Sequence, residues 1–259
     1  MSKQRYGIIA PMKTLDMTGL APGVAKKISP MINEILAAHS GDIHSLYIVG
    51  SAVMPDYNEH RSDINSVVVL HAMNLDFLAF LAPLGKTYGK KRIAVPLVMT
   101  PAYIRASVDA FPLEFLDFKL IHTTLYGDDI LGSVSIERCH LRLQCERDIK
   151  TKLIGLRQGY LASLGKKEDL KAVLVQSIAG LFALCRGILH LVHRKPPQQR
   201  VAVIDALKAA IGIEPEPLQQ LLEIKAKTLN PSGQELHSLF GRYYAILESL
   251  EKIIDDIPV

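Results

Sequence analysis

Cysteine is scarce in this chain: 259 residues hold three, Cys139, Cys145 and Cys185. The count is odd and no Cys-x-x-Cys spacing occurs, which argues against a disulfide framework or a zinc site and fits a reducing, cytoplasmic setting. Charge of one sign is missing too. Lys and Arg number 30 against 26 Asp and Glu, a net charge of +4 with no basic or acidic tail. That balance suits a phosphate-bearing ligand without demanding nucleic acid. Low-complexity tracts and short-period repeats are absent, and 49% apolar with 22% charged residues is ordinary for globular domains. Disordered, collagenous and coiled-coil readings are therefore out. Met1–Met12 is mixed and polar, unlike a signal peptide. The most apolar stretch, Ala172–Val192, carries Gln176, Ser177, Arg186 and His190, all costly in lipid, and reads as a buried helix with no membrane partner.

At 28.6 kDa the chain suits one or two domains. Its first part mixes helical and strand patterns. Ile28–Ala38 has helical spacing, with Ser29 as a cap and Pro30 just inside the start. Ser45–Val49 and Asn65–Leu70 are short runs rich in β-branched residues and read as strands. Leu75–Leu84 predicts a helix, Ile93–Met99 a strand placed at an edge by Pro96, and Pro101–Ala110 a short helix. A further strand is expected within Leu113–Thr124, before a Gly127-Asp128-Asp129 turn. From Ser135 onward the pattern is helical. Ile149, Leu153, Leu156 and Tyr160 form one stripe, and Leu236, Leu239, Tyr243, Ile246 and Leu250 another. The expected organisation is a mixed α and β domain over 1–132 and an all-α bundle of four or five helices over 133–259.

One constellation carries chemistry. Gly50-Ser51 ends the first strand, eleven residues follow from Ala52 to Ser62, and Ser62-Asp63-Ile64-Asn65 enters the second. A glycine there lets backbone approach a phosphate, and N–H groups opening a helix would donate to it. Asp63 and Asn65, two apart, face one side of a strand and could hold Mg²⁺ against nucleotide phosphates.

Gly50-Ser51 with Asp63 at this spacing resembles the nucleotidyltransferase superfamily related to DNA polymerase beta, notably the kanamycin-type and minimal nucleotidyltransferases. The motif covers Ile48 to about Leu70, and Leu125-Tyr126-Gly127 resembles the ending of many such domains. The resemblance implies an α+β fold: a nucleotidyltransferase-type mixed sheet with helices, followed by a helical bundle, with substrate between the domains. It assigns Gly50, Ser51 and Ser62 to a nucleoside triphosphate, Asp63 to catalysis as a metal ligand, and Asp63 with Asn65 to Mg²⁺. The implied partners are the nucleotide and a small-molecule or protein acceptor bearing a hydroxyl.

The chain departs from the pattern in three places. Asn65 stands where the family has a second carboxylate. Arg92–Thr100, the natural source of a third, contains no acid, which leaves Asp109, Glu114 and Asp117 as substitutes. Met54-Pro55 replaces the glycine that usually follows Gly-Ser. The nucleotide-borne metal is held largely by phosphates, whereas activating a hydroxyl needs the full acid set. Two readings stay open: a nucleotidyltransferase, and a catalytically inactive homologue serving as nucleotide sensor or protein-interaction module.

Other features have plainer readings. Arg186 and His193 enclose six residues, a spacing resembling the Arg-x4-6-His of HEPN ribonucleases, but Gly187 replaces the usual polar residue. Arg138, Arg142, Arg147 and Arg157 suit a solvated, ion-paired helix face, with Arg142 and Glu146 spaced i,i+4. Lys90-Lys91-Arg92 reads as an exposed turn able to meet a phosphate.

Overall fold

The computed structural model describes residues 14–55, 57–60 and 62–258, so the reading of Met1–Met12 lies outside the described residues. The chain forms two compact units, Met1–Val53 with Tyr57–Ala102 and His122–Ile130, and Met54–Asp56 with Tyr103–Ile121 and Leu131–Val259.

The first unit carries α1 (Pro22–His39), β1 (Ile43–Val49), β2 (Asn65–Leu70), α2 (Leu75–Gly89), β3 (Leu97–Met99) and β4 (His122–Gly127). The strands form one mixed sheet in the order β3-β2-β1-β4, with β1 antiparallel to β2 and β4, and β2 parallel to β3. Its apolar core joins Leu46, Ile48, Val68 and Leu70 of the sheet to Ile28, Met31, Ile32 and Ile35 of α1 and Phe77 and Leu81 of α2. Pro96 precedes an edge strand, where a missing N–H breaks no ladder. Gly127, at φ +78°, ends β4 so close to the His44 carbonyl oxygen that no Cβ would fit.

Two expectations for the first half of the chain need correction. The first helix begins at Pro22, not near Ser29, and Pro30 lies inside it. Ser29 donates its hydroxyl to Ala25 O at 2.6 Å instead of capping. An interior proline costs about 3 kcal/mol, but Ile28, Met31, Ile32 and Ile35 are buried on that face, each worth roughly 1.5–3 kcal/mol, and the burial wins. The short helix expected over Pro101–Ala110 is α3 (Pro101–Ser107), and the strand expected within Leu113–Thr124 is α4 (Pro112–Leu120) followed by β4. Pro112 and Glu114 occupy a first helical turn and Lys119 the last, and the short apolar run suits either period.

The second unit holds α4 with α5 (Arg138–Ser163), α6 (Lys167–Ser177), α7 (Leu181–Leu191), α8 (Arg200–Ile211), α9 (Glu216–Ala226) and α10 (Gly233–Asp256), so six helices, not the expected four or five, lie within 133–259 among the described residues. Its core contains the expected Ile149, Leu153 and Leu156 with Leu236, Leu239, Tyr243, Ile246 and Leu250, while Tyr160 is 39% exposed. The stretch read as one buried helix over Ala172–Val192 is two, bent by 44° at Gly180. Among the described residues no single helix is long and apolar enough to cross a membrane. All three cysteines are free. Burial pushes the Cys145 and Cys185 thiols well above their ordinary range and leaves them unreactive.

Candidate functional site

At the end of β1 the backbone enters the left-handed region at Gly50, φ +71°, and opens a single 3₁₀ turn over Gly50–Val53. A Cβ at position 50 would meet Asn65 Nδ2 at 3.9 Å, an ordinary contact, so the turn is uncrowded there. The pairing of Val49 with Asn65 brings Asn65 to Gly50. Ile64 is fully buried between the exposed Asp63 and Asn65, so strand alternation sets both polar side chains on the outside. Ile64 N–H donates to Arg92 O at 2.9 Å, and Ala94 N–H donates to Ile64 O at 2.9 Å.

That pairing fixes Arg92 beside the site, and its Nε lies 3.3 Å from Asp63 Oδ1. Both side chains are about half exposed, so the pair itself is weak. Arg92 sits at φ +60°, a conformation unfavourable for a residue with a Cβ. Tyr57 donates its hydroxyl to Ser62 O at 3.3 Å, and Ser62 N–H donates to Asn58 O at 2.9 Å, so Ser62 is held through its main chain. Burial, then the Glu59 and Asp63 carboxylates, raise the Tyr57 phenol pKa, opposed by Arg92.

The structure thus brings Gly50 to Asn65 and sets Asp63 two residues away, while Ser51 occupies the turn and Ser62 precedes Asp63 on the incoming segment. Sequence reasoning missed the Arg92 partner of Asp63. Its signal is the Lys90-Lys91-Arg92 run, which reads as an exposed turn able to meet a phosphate and does not name Asp63 as its partner. The candidate third carboxylates lie in the helical unit. Glu114 accepts from Gln144 Nε2 at 2.8 Å, Asp117 is bound by Arg186, and Asp109 is exposed. Among the described residues no group of three or more His, Cys, Asp and Glu could hold a metal ion.

Those donors decide which metal would fit. Mg²⁺ takes six oxygens and commonly keeps several waters, needing few protein ligands when phosphates supply others. One carboxylate and one amide oxygen fit an ion that arrives on a triphosphate. They do not fit a metal held by protein alone.

No protein-family profile and no curated protein matches the chain. Among solved structures it is similar to a spectinomycin adenyltransferase, AAD(9), from Enterococcus faecialis, crystallised with ATP and spectinomycin, at a TM-score of 0.51 and 11% identity over 90% of this chain and 99% of that one. The likeness shows the fold: a nucleotidyltransferase-type mixed sheet followed by a helical domain.

Proposed function

We propose that this chain binds a nucleoside triphosphate with Mg²⁺ at the β1–β2 end of its sheet, and that binding outlasts efficient nucleotidyl transfer. The observation that carries this is the open left-handed Gly50 turn with Asn65 against it and Asp63 exposed beside it. Gly50 lets the phosphates approach the backbone, and the N–H groups of the following turn and the Ser51 hydroxyl donate to them. Asp63 supplies the one protein anion to the ion, and Asn65 an uncharged oxygen. Bound Mg²⁺ would neutralise the phosphates and polarise the α-phosphoryl group toward a hydroxyl acceptor. Asp63, now paired with Arg92, would hold the ion, and the Arg92 guanidinium beside it could donate to phosphate oxygens.

The small acid set favours the second reading, a nucleotide-binding homologue acting as a sensor or interaction module, over a fast enzyme. Calorimetric titration of ATP, GTP, CTP and UTP, with and without Mg²⁺, tests the binding that both readings share. At least one nucleotide should bind in a Mg²⁺-dependent manner, and Asp63→Ala should weaken it at least about tenfold, the scale of one charge-assisted contact. Equal binding by Asp63→Ala would remove the metal from the site.

A further inference from the structure

The helical unit contains a pocket of about 610 Å³, lined by Leu116, Lys119 and Leu120 of α4, residues leading into α5, and the end of α7 with the turn after it. Its size is that of a small-ligand site. Lys119, Arg138, His190, His193, Arg194 and Lys195 all line it, and no carboxylate does. Leu116, Leu120, Ile136 and Pro196 provide apolar wall.

The cations come from separate elements, and helix capping does not explain them. The C-terminus of α7 favours positive charge nearby, which accounts for part of the His193-Arg194-Lys195 run. Arg138, however, is the first residue of α5, the end of a helix where a cation is disfavoured. No side chain caps that helix, so its first-turn N–H groups lack a side-chain acceptor. An anion in the pocket would satisfy both Arg138 and the helix end. Among the described residues Arg138, Arg194 and Lys195 make no side-chain hydrogen bond or ion pair, and Asp117, near Lys119 on α4, is occupied by Arg186. Lys119 Nζ is steadied by Val134 O at 2.7 Å.

His193 closes α7 at φ +59°, with Arg194 N–H returning to Leu189 O at 2.9 Å. A histidine in the left-handed region costs free energy that a glycine would not, yet it places two further basic residues on the pocket. Burial, then the charges of Arg138, Lys119 and His193, lower the His190 pKa, as expected in a pocket of positive potential.

We propose that this pocket binds, without Mg²⁺, a small ligand that joins phosphate groups to an apolar body, the chemical class of a nucleoside diphosphate. The assignment uses only residues of the helical unit and stands apart from the β1–β2 site. The test titrates ADP and pyrophosphate in EDTA into the full chain, its Arg138→Gln/Lys195→Gln variant and Asp63→Ala. ADP should bind the parent protein more tightly than pyrophosphate, and raising the salt should weaken it. The double variant, which changes no buried side chain, should lose at least about tenfold in affinity, and Asp63→Ala should lose nothing. Should the double variant unfold by circular dichroism, Arg194→Gln carries the same expectation in smaller measure. The proposal is overturned by no ADP binding in EDTA, by equal binding to the charge variants, or by loss in Asp63→Ala. A short single-stranded RNA that binds more tightly than ADP and is released by the same variants would overturn the small-molecule assignment.

Discussion

Asp117 Oδ1 and Oδ2 accept from Arg186 Nε and Nη2 at 2.7 and 3.0 Å, and the Arg186 side chain is only 5% exposed. Arg186 also donates from Nη1 to Gln198 O at 3.2 Å, so the guanidinium is oriented from two sides. An acid that neutralises a buried arginine belongs to packing, because withdrawing it strands the charge. Asp117→Ala should therefore destabilise the protein by about 3 kcal/mol, the low end for a buried pair because Asp117 keeps 26% of its side chain exposed. Arg186→Met with Asp117→Leu should recover most of that loss, since no charge then remains unpaired. Urea midpoints would check both, and a cost below about 1 kcal/mol for Asp117→Ala would put the pair among solvent-screened ones. The spacing of acids along the chain named Asp117 as a metal candidate, but the partner that claims it lies 69 residues away. The same gap hid Arg92: its run was visible as charge, but its contact with Asp63 depends on the Ile64–Ile93 bridge, which brings two distant segments together.

Between elements, α1 and α2 are joined by a hydrogen bond from the Tyr88 hydroxyl to Glu34 Oε1, with Tyr88 only 4% exposed. Donation to the carboxylate, then burial, push the Tyr88 pKa up to about 12. A phenol whose folded pKa exceeds its unfolded value of about 10 stabilises the fold below pH 10, and that contribution is lost as pH rises toward 12. Tyr88→Phe should lower stability at pH 8 and flatten its decline between pH 10 and 12. Parallel declines in the two proteins, measured by denaturant midpoints, would assign the alkaline loss to other groups. The legibility of elements follows the same physics of local against distant terms. β2 was readable to the residue, Asn65–Leu70, because a buried β-branched run between turns has little alternative. Helix α1 was not, since Pro22–Lys27 offers few apolar positions and Pro30 reads as a start until the core beneath it is known. The α6–α7 bend was hidden for the opposite reason: apolar residues continue through Gly180, so composition does not mark the turn.

Across the whole molecule, a fold shared at 11% identity leaves room for the chemistry to differ, because fold depends on pattern and burial while activity depends on a few side chains. Here the β3-β2-β1-β4 sheet and the helical domain carry an amide, Asn65, two residues from Asp63. The Gly50-Ser51 and Asp63 spacing was legible because turn and strand geometry are local, whereas the strength of a metal site depends on the sum of charges that the whole fold delivers. Asn65→Asp isolates that sum. A second carboxylate two residues from Asp63 should attract Mg²⁺ and tighten Mg²⁺-dependent ATP binding by about tenfold, the scale of one added charge-assisted contact. Without Mg²⁺ the same carboxylate repels the triphosphate, so ATP binding in EDTA should weaken. The two effects have opposite sign only if a cation enters between Asp63, residue 65 and the phosphates. Weakening of ATP in both conditions would mean that Arg92, not a metal, neutralises the site, and that the phosphates approach it without an ion.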